Sequence, residues 1–357
     1  MSVFTKLSLA IGLGAVSTMA CSIQYRVIEL GFMPADSTSS NANGINNSNQ
    51  VSFQGDYACR WQENTGLVEL PHLDPTRQTF AYKIASNGTI AGCTYPLSNG
   101  FLQAVIWKGD QIIALPGNLG EVAYANAVNA SDVAVGVAVL PDKAWGRAMM
   151  WKDGQMIEMR DLGVTGLASE AFDINDQGQV VGTRQQNSSS RYEAFLWSES
   201  TGMVLLGSLD PSEHHYAYAI NDVGQVVGGS GLNSFIWDST HGMQAISGLP
   251  DILYSYAEDI NNQGWVVGNY GASFGRGGAF LYNGSEMLDM NDLLESGSKD
   301  WNLRVAKSIN DNGWIVGYGQ YNGHDRAFLA IPVPEPTSLI VVGLGAGWLA
   351  LRRRRKS

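Results

Sequence analysis

The sequence predicts an all-β protein: a seven-bladed β-propeller closed by an N-terminal strand, plus a C-terminal single transmembrane sorting helix. Three observations predict it. Two short patterns each recur seven times, tight-turn signals separate them, and one strand near the N-terminus has no partner in its own repeat. A unit of ~40–50 residues carrying four short strands is what a propeller blade requires.

Residues 1–20 have the layout of a secretory signal peptide. Lys6 gives the positive start, 7–16 the apolar stretch, and Thr18-Met19-Ala20 a small-x-small site that places cleavage between Ala20 and Cys21. Lipidation of Cys21 is the competing reading, and Thr18 stands where that signal wants an apolar residue.

The body is assigned to residues 25–331. Its first pattern runs Ile-Asn, two residues, a turn residue, then Val-Val-Gly, clearest at 174–182, 220–228, 260–268 and 309–317. Weaker copies begin at 84 and 128, and a degenerate one at Ile45-Asn46-Asn47. The second pattern follows each first one, as in Ala104 to Trp107, Ala148 to Trp151 and Ala194 to Trp197. Turns such as Lys152-Asp153-Gly154 and Asn283-Gly284 then carry tight-hairpin signals and lead into a further apolar strand. That last strand appears only six times after its pattern. The seventh precedes the first unit: Val27-Ile28-Glu29-Leu30 matches Leu67-Val68-Glu69-Leu70. An open solenoid has no use for such a strand, whereas a closed ring pairs it with the stretch around Phe328. The third strand is apolar on both faces, with Phe195 and Trp197 on one and Ala194 and Leu196 on the other, as a sheet between neighbours demands. A β-helix or two smaller sandwiches are the alternatives.

The tail, 332–357, carries Val333-Pro334-Glu335-Pro336, an apolar run at 339–351, and Arg352-Arg353-Arg354-Arg355-Lys356. A helix there spans ~22 Å against a ~30 Å hydrocarbon core, a gap that snorkelling arginines and thinning close. The positive-inside rule keeps the cations cytoplasmic and the body outside. A plain C-terminal anchor is the bland account. The order of Pro-Glu-Pro, short apolar helix and Arg-rich end resembles the PEP-CTERM sorting signal. That resemblance implies an exosortase, a membrane cysteine protease, cutting near Pro334-Glu335-Pro336 after Sec export. The body resembles HAF-repeat extracellular proteins through Ile-Asn-x-x-Gly-x-Val-Val-Gly and Ala-Phe-Leu-Trp. Glu193-Ala194-Phe195 and Arg326-Ala327-Phe328 lack the name-giving His. The likeness implies an exported Gram-negative repeat protein and brings no chemistry with it.

The formal charge is −11, from 22 basic and 33 acidic residues. Setting aside Lys6, the four tail arginines and Lys356 leaves 16 of the 22 basic residues against 33 acidic, a net of −17. Such a body repels phosphate backbones, so nucleic acid is not an expected partner. Cys59 and Cys93 permit a disulfide that their spacing does not decide. The Asp-Ile-Asn turns from Asp173 and Asp259 invite a calcium reading, but the twelfth positions are Arg184 and Tyr270, so no cofactor or metal is expected, with calcium in another geometry on so acidic a surface as the alternative. Local backbone bonding by Asn and a left-handed Gly account for those turns. The repeated tryptophans read as core, and His214-His215 as a solvated loop.

Function is sought where residues break the repeat. Trp145, Asp251, Tyr254, Tyr256, Trp301 and Arg304 fall in inter-strand or inter-blade segments and form the candidate ligand face. No residue set amounts to an active site. The expectation is a non-enzymatic surface or matrix scaffold binding polysaccharide or envelope components, anchored in the inner membrane before processing. A secreted propeller hydrolase or lyase acting on polysaccharide is the alternative, and a purely architectural protein a third.

Overall fold

Seven four-stranded antiparallel sheets succeed one another along the chain, and their innermost strands touch in an unbroken cycle, the first against the last. The computed structural model describes residues 23–31, 40–95, 101–117, 122–140, 145–159, 167–186, 191–273 and 277–334. The protein is a seven-bladed β-propeller over Tyr25–Pro332. Blades 1 to 7 have innermost strands Asn41–Ile45, Thr79–Ile84, Ala123–Val128, Ser169–Ile174, His215–Ile220, Ile252–Ile260 and Trp301–Ile309. Blade 5 shows the pattern: His215–Ile220, Val226–Ser230, Asn233–Asp238 and Gly242–Ala245 pair in that order outward.

Blade 7 takes three strands from one end of the body and the fourth from the other. Trp301–Ile309, Ile315–Tyr321 and His324–Val333 are completed by Gln24–Glu29 on the outside. Leu30 N donates to Ala327 O at 3.2 Å, and Arg326 Nε lies 3.1 Å from Glu29 Oε1. The closure expected from the unmatched Val27 strand is therefore present, and the linear and sandwich alternatives fall.

The motif residues explain the geometry. At one equivalent position each innermost strand carries an alanine with no exposed surface, Ala42, Ala81, Ala125, Ala171, Ala217, Ala257 or Ala306, because seven strands converging on an axis leave no room for more. In blades 2 to 7 that alanine faces the glycine ending the Val-Val-Gly pattern, next to a bulge in the inner strand. A Cβ on Gly228 would sit 1.9 Å from Tyr216 O, and the equivalent on Gly182 2.0 Å from Glu170 O. The glycine is thus a close-approach residue that lets the bulged carbonyl in.

The repeated Asn works twice. In blade 5, Asn221 Oδ1 accepts from Gln225 N at 2.8 Å, which shapes the turn, and its Nδ2 donates to Asn261 O of blade 6 at 2.9 Å. The same inter-blade bond runs from Asn46, Asn129, Asn175, Asn261 and Asn310, the last reaching Asn46 O at 2.9 Å across the closure. Blade 2 has Ala85 at this position, and Asn87 Nδ2 bridges to Ala130 O instead at 3.0 Å. Local turn bonding was expected of these asparagines; the ring of bonds between blades was not.

Two-faced burial also holds. Phe195 and Trp197 pack with Ala148 and Val180, while Ala194 and Leu196 pack with Ala217 and Phe235. Trp107 and Trp151 are buried and donate through Nε1 to Pro71 O and Pro116 O, both at 2.8 Å, so the repeated tryptophans of these blades are core. Cys59 and Cys93 are separate buried free thiols on blades 1 and 2. Val333 ends the last strand and Pro334 follows it; Ala20, Cys21, Glu335, Pro336, the apolar run and Arg352 to Arg355 lie outside the described residues. No helix among the described residues is long and apolar enough to cross a membrane.

Candidate functional site

Every inner strand runs toward its Ile-Asn turn, so the ring has a turn face and an opposite face where blades connect. The two faces differ in chemistry. On the turn face an axial pocket of about 160 Å³ is walled by the repeat itself, with Asp173, Asp176, Asp222, Asp259 and Asp311 around Lys83. Lys83 belongs to blade 2, yet its Nζ lies 2.8 Å from Asp173 Oδ2 of blade 4 and 3.8 Å from Asp259 Oδ1 of blade 6. Burial opposes the Lys83 charge, but the two carboxylates outweigh it and hold the ammonium above its ordinary range. Burial, with Asp259 adding to it, pushes the Asp173 carboxyl up against the pull of Lys83. Main-chain donors complete the set: Ile220 N to Asp173 Oδ2 and Ile309 N to Asp259 Oδ2, both 3.0 Å. Above them Asp176, Asp222 and Asp311 accept from the backbone N of Ala130, Asp176 and Asn262 in neighbouring blades at 2.8–3.0 Å. These acids are occupied in fastening blades together. Among the described residues no three His, Cys, Asp or Glu side chains form a metal set.

The connection face is aromatic. Alternation on the blade 5 inner strand puts Tyr216 and Tyr218 on one side, 5.8 Å apart and parallel within 1°. Tyr192 of blade 4 stacks on Tyr216 at 5.8 Å, and the exposed His214 sits 5.8 Å from Tyr192 and 6.2 Å from Tyr216. Phe172 meets Tyr218 at 5.3 Å. On blade 6, Tyr254 and Tyr256 lie 5.7 Å apart. Two glycines seat them: a Cβ on Gly229 would lie 2.7 Å from Tyr256, and one on Gly271 would lie 2.4 Å from Tyr254. An arc of rings thus spans blades 4 to 6. Toward the axis, burial pushes the Glu170 carboxyl up while Asn126 Nδ2 donates to it at 2.9 Å.

The six residues singled out by sequence all fall on this face, but not at one spot. Tyr254 and Tyr256 come together on the inner strand Ile252–Ile260, whose register shifts between Ile252 and Tyr254, rather than in an inter-blade segment. Asp251 takes a left-handed turn (φ 57°) just before that strand. Trp145 is 59% exposed beside the third strand of blade 3, and Arg304 is exposed on blade 7. Trp301 is buried, stacked on Tyr321 at 4.8 Å, because blade 7 needs a large core side chain there. Of His214-His215, His214 is exposed in the connection as expected, whereas His215 begins a strand and is 4% exposed. Tyr192, Tyr216 and Tyr218 were passed over, although aromatic residues at 214, 216 and 218 signal one strand face.

Comparison with solved structures finds this chain similar to virginiamycin B lyase from Staphylococcus aureus, with TM-score 0.55, 12% identity, and coverage of 86% of this chain and 100% of that one. YCF48 bound to a D1 peptide follows at TM-score 0.49, 11% identity and coverage of 87% and 97%. A Bacteroides thetaiotaomicron structural genomics protein of unknown function gives 0.43, 10%, and 87% and 76%. At such identities the first likeness is one of fold, and the others carry no argument. No curated protein matches. Residues 332–355 match the PEP-CTERM protein-sorting motif, which marks the protein for exosortase-dependent sorting to the cell envelope or exterior. Residues 109–330, from blade 2 to the last strand, match the family described as protein of unknown function (DUF3466), and the chain belongs to that family.

Proposed function

We propose that this protein is a surface or matrix scaffold whose propeller holds neutral extracellular polysaccharide on its aromatic connection face. One observation carries the reading: rings stack from blade 4 onto blade 5, and a further tyrosine pair stands on blade 6, partly open, on a protein whose sorting motif sends it outward. Aromatic faces suit the apolar faces of sugar rings, and a body of net negative charge favours uncharged polymers over anionic ones. The HAF-repeat likeness of the body supports the export half of this reading. In this account Sec exports the chain past a cut at Ala20–Cys21, the apolar tail anchors it in the inner membrane, and exosortase cuts near Pro336. Two measurements test it. Mass spectrometry of the exported protein should find a C-terminus near Pro336; an intact Arg352–Arg355 cluster would instead mean a plain anchor. Retention of the protein on extracellular polysaccharide should fall on replacing Tyr216 and Tyr254 with Ala, and absence of retention on any envelope polymer rejects the scaffold.

A second reading, a hydrolase or lyase on polysaccharide, is favoured by Glu170, a half-buried carboxyl that burial pushes up against hydrogen bonds from Asn126 and Tyr124. It requires product release from a polymer panel that Glu170→Gln abolishes.

A further inference from the structure

Between blades 4 and 5, beside the aromatic arc, a pocket of about 100 Å³ is lined by Arg191, Tyr192, Glu193, Glu213 and His215 among others. From this geometry we infer a dedicated subsite for a single neutral hexopyranose unit, a refinement that rests on the polysaccharide reading above. Tyr192 links the two features: its ring stacks in the arc and also walls the pocket. The polar groups are held in place. Glu193 Oε2 takes a hydrogen bond from Arg184 Nη2 at 3.0 Å, and Arg191 Nη1 donates to Pro211 O at 2.9 Å. His215 is 4% exposed, and its Nδ1 lies 2.9 Å from Ser230 Oγ. Leu209 N donates to that same oxygen at 3.0 Å, so the Ser230 hydroxyl is pinned by the backbone and holds the His215 ring through Nδ1. An imidazole, a fixed carboxylate acceptor and a guanidinium thus surround one aromatic wall. A pyranose offers the complement: an apolar face for Tyr192 and hydroxyls that both donate and accept for the rest. Glu193 and Glu213 disfavour an anionic sugar, and the pocket's small size fits one ring rather than a buried chain.

The test uses the full-length protein in a sugar-free detergent, titrated with methyl glycosides of glucose, galactose, mannose and N-acetylglucosamine. The His215 imidazole is followed by nitrogen-15 NMR and assigned with His215→Gln. One or more glycosides should shift His215 saturably. Tyr192→Leu and Glu193→Gln should each weaken that binding about tenfold or more, with the melting temperature checked alongside. Arg191→Ala, at an exposed position, gives a third variant that leaves the core untouched. No shift with any glycoside, or equal affinity in all three variants, overturns the subsite. Polymer retention separates the two ideas. Retention unchanged in Tyr192→Leu/Glu193→Gln but lost on replacing Tyr254 and Tyr256 rejects the subsite and keeps the scaffold. Saturable glycoside binding without polymer retention keeps the subsite and rejects the scaffold.

Discussion

A single methyl group is enough to disturb a blade where the glycine of the repeat meets the bulged carbonyl. Gly228→Ala places its Cβ 1.9 Å from Tyr216 O, and backbone in a central strand has little room to retreat. The expected cost is about 1–3 kcal/mol, measured as a lowered urea midpoint at unchanged slope. The thiols make a second test at this scale. Burial pushes Cys59 up to about 12, with Glu69 adding to it, and burial pushes Cys93 up to about 11 against the hydrogen bond from Tyr82. Neither is a thiolate near pH 8, so alkylation mapped by mass spectrometry should spare both in the native protein and reach both after denaturation. These residues also show what a sequence reading reaches. The left-handed turn glycines were legible because local backbone geometry alone demands them: Gly178 and Gly224 have φ of 76° and 85°. Tyr216 and Tyr218 were not singled out, because period-two aromatics signal a buried strand face and an open one alike. Trp301 was misplaced for the converse reason: its partner Tyr321 is brought to it by pairing across the hairpin, which spacing does not reveal.

Between elements, polar bonds to the next blade accompany the packing. The tie made by Lys83 joins blades 2, 4 and 6, which share no sheet, so it braces the ring across its axis. Lys83→Met should cost about 3–5 kcal/mol by leaving Asp173 and Asp259 facing each other, and adding Asp173→Asn and Asp259→Asn should restore much of it. Thermal melts of wild type, the single variant and the triple variant check both; a silent single variant would mean that the tie carries no weight. A second junction is pH-dependent. Burial alone would raise Asp132 of blade 3, but hydrogen bonds from Lys108, Thr89 and Asn87 of blade 2 outweigh it and hold the carboxyl below its ordinary value of 3.8. A depressed folded-state value means stabilisation that is present above 3.8 and lost as pH falls through the lower folded value. The stability gap between wild type and Asp132→Asn should accordingly be open near neutrality and close in acid. The sequence showed where the blades begin and end. It did not show this bracing, because a lysine at position 83 looks like any lysine at the end of an exposed strand until the ring brings residues 173 and 259 opposite it.

For the molecule as a whole, the decisive feature is a blade assembled from both ends of the body. Removing residues 24–29 should leave His324–Val333 as a bare edge, lower the melting temperature, and produce self-association visible by size-exclusion chromatography. Identical melting and elution would show that closure contributes nothing. The count of seven blades was legible because the six trailing strands and the one leading strand are complementary, an argument about bookends that needs no coordinates. The aromatic face was only partly legible, since it draws on separate blades, whose order around the axis brings Tyr192 of blade 4 onto Tyr216 of blade 5. Closure also has a temporal side. The ribbon that latches the propeller is the first part of the body made, and its berth beside His324–Val333 is the last. The latch therefore cannot close until the last strand has been made, and it is the longest-range pairing in the ring, the kind that closes slowly. A chaperone that shields Gln24–Glu29 during that wait would guard the one adhesive edge the finished ring conceals.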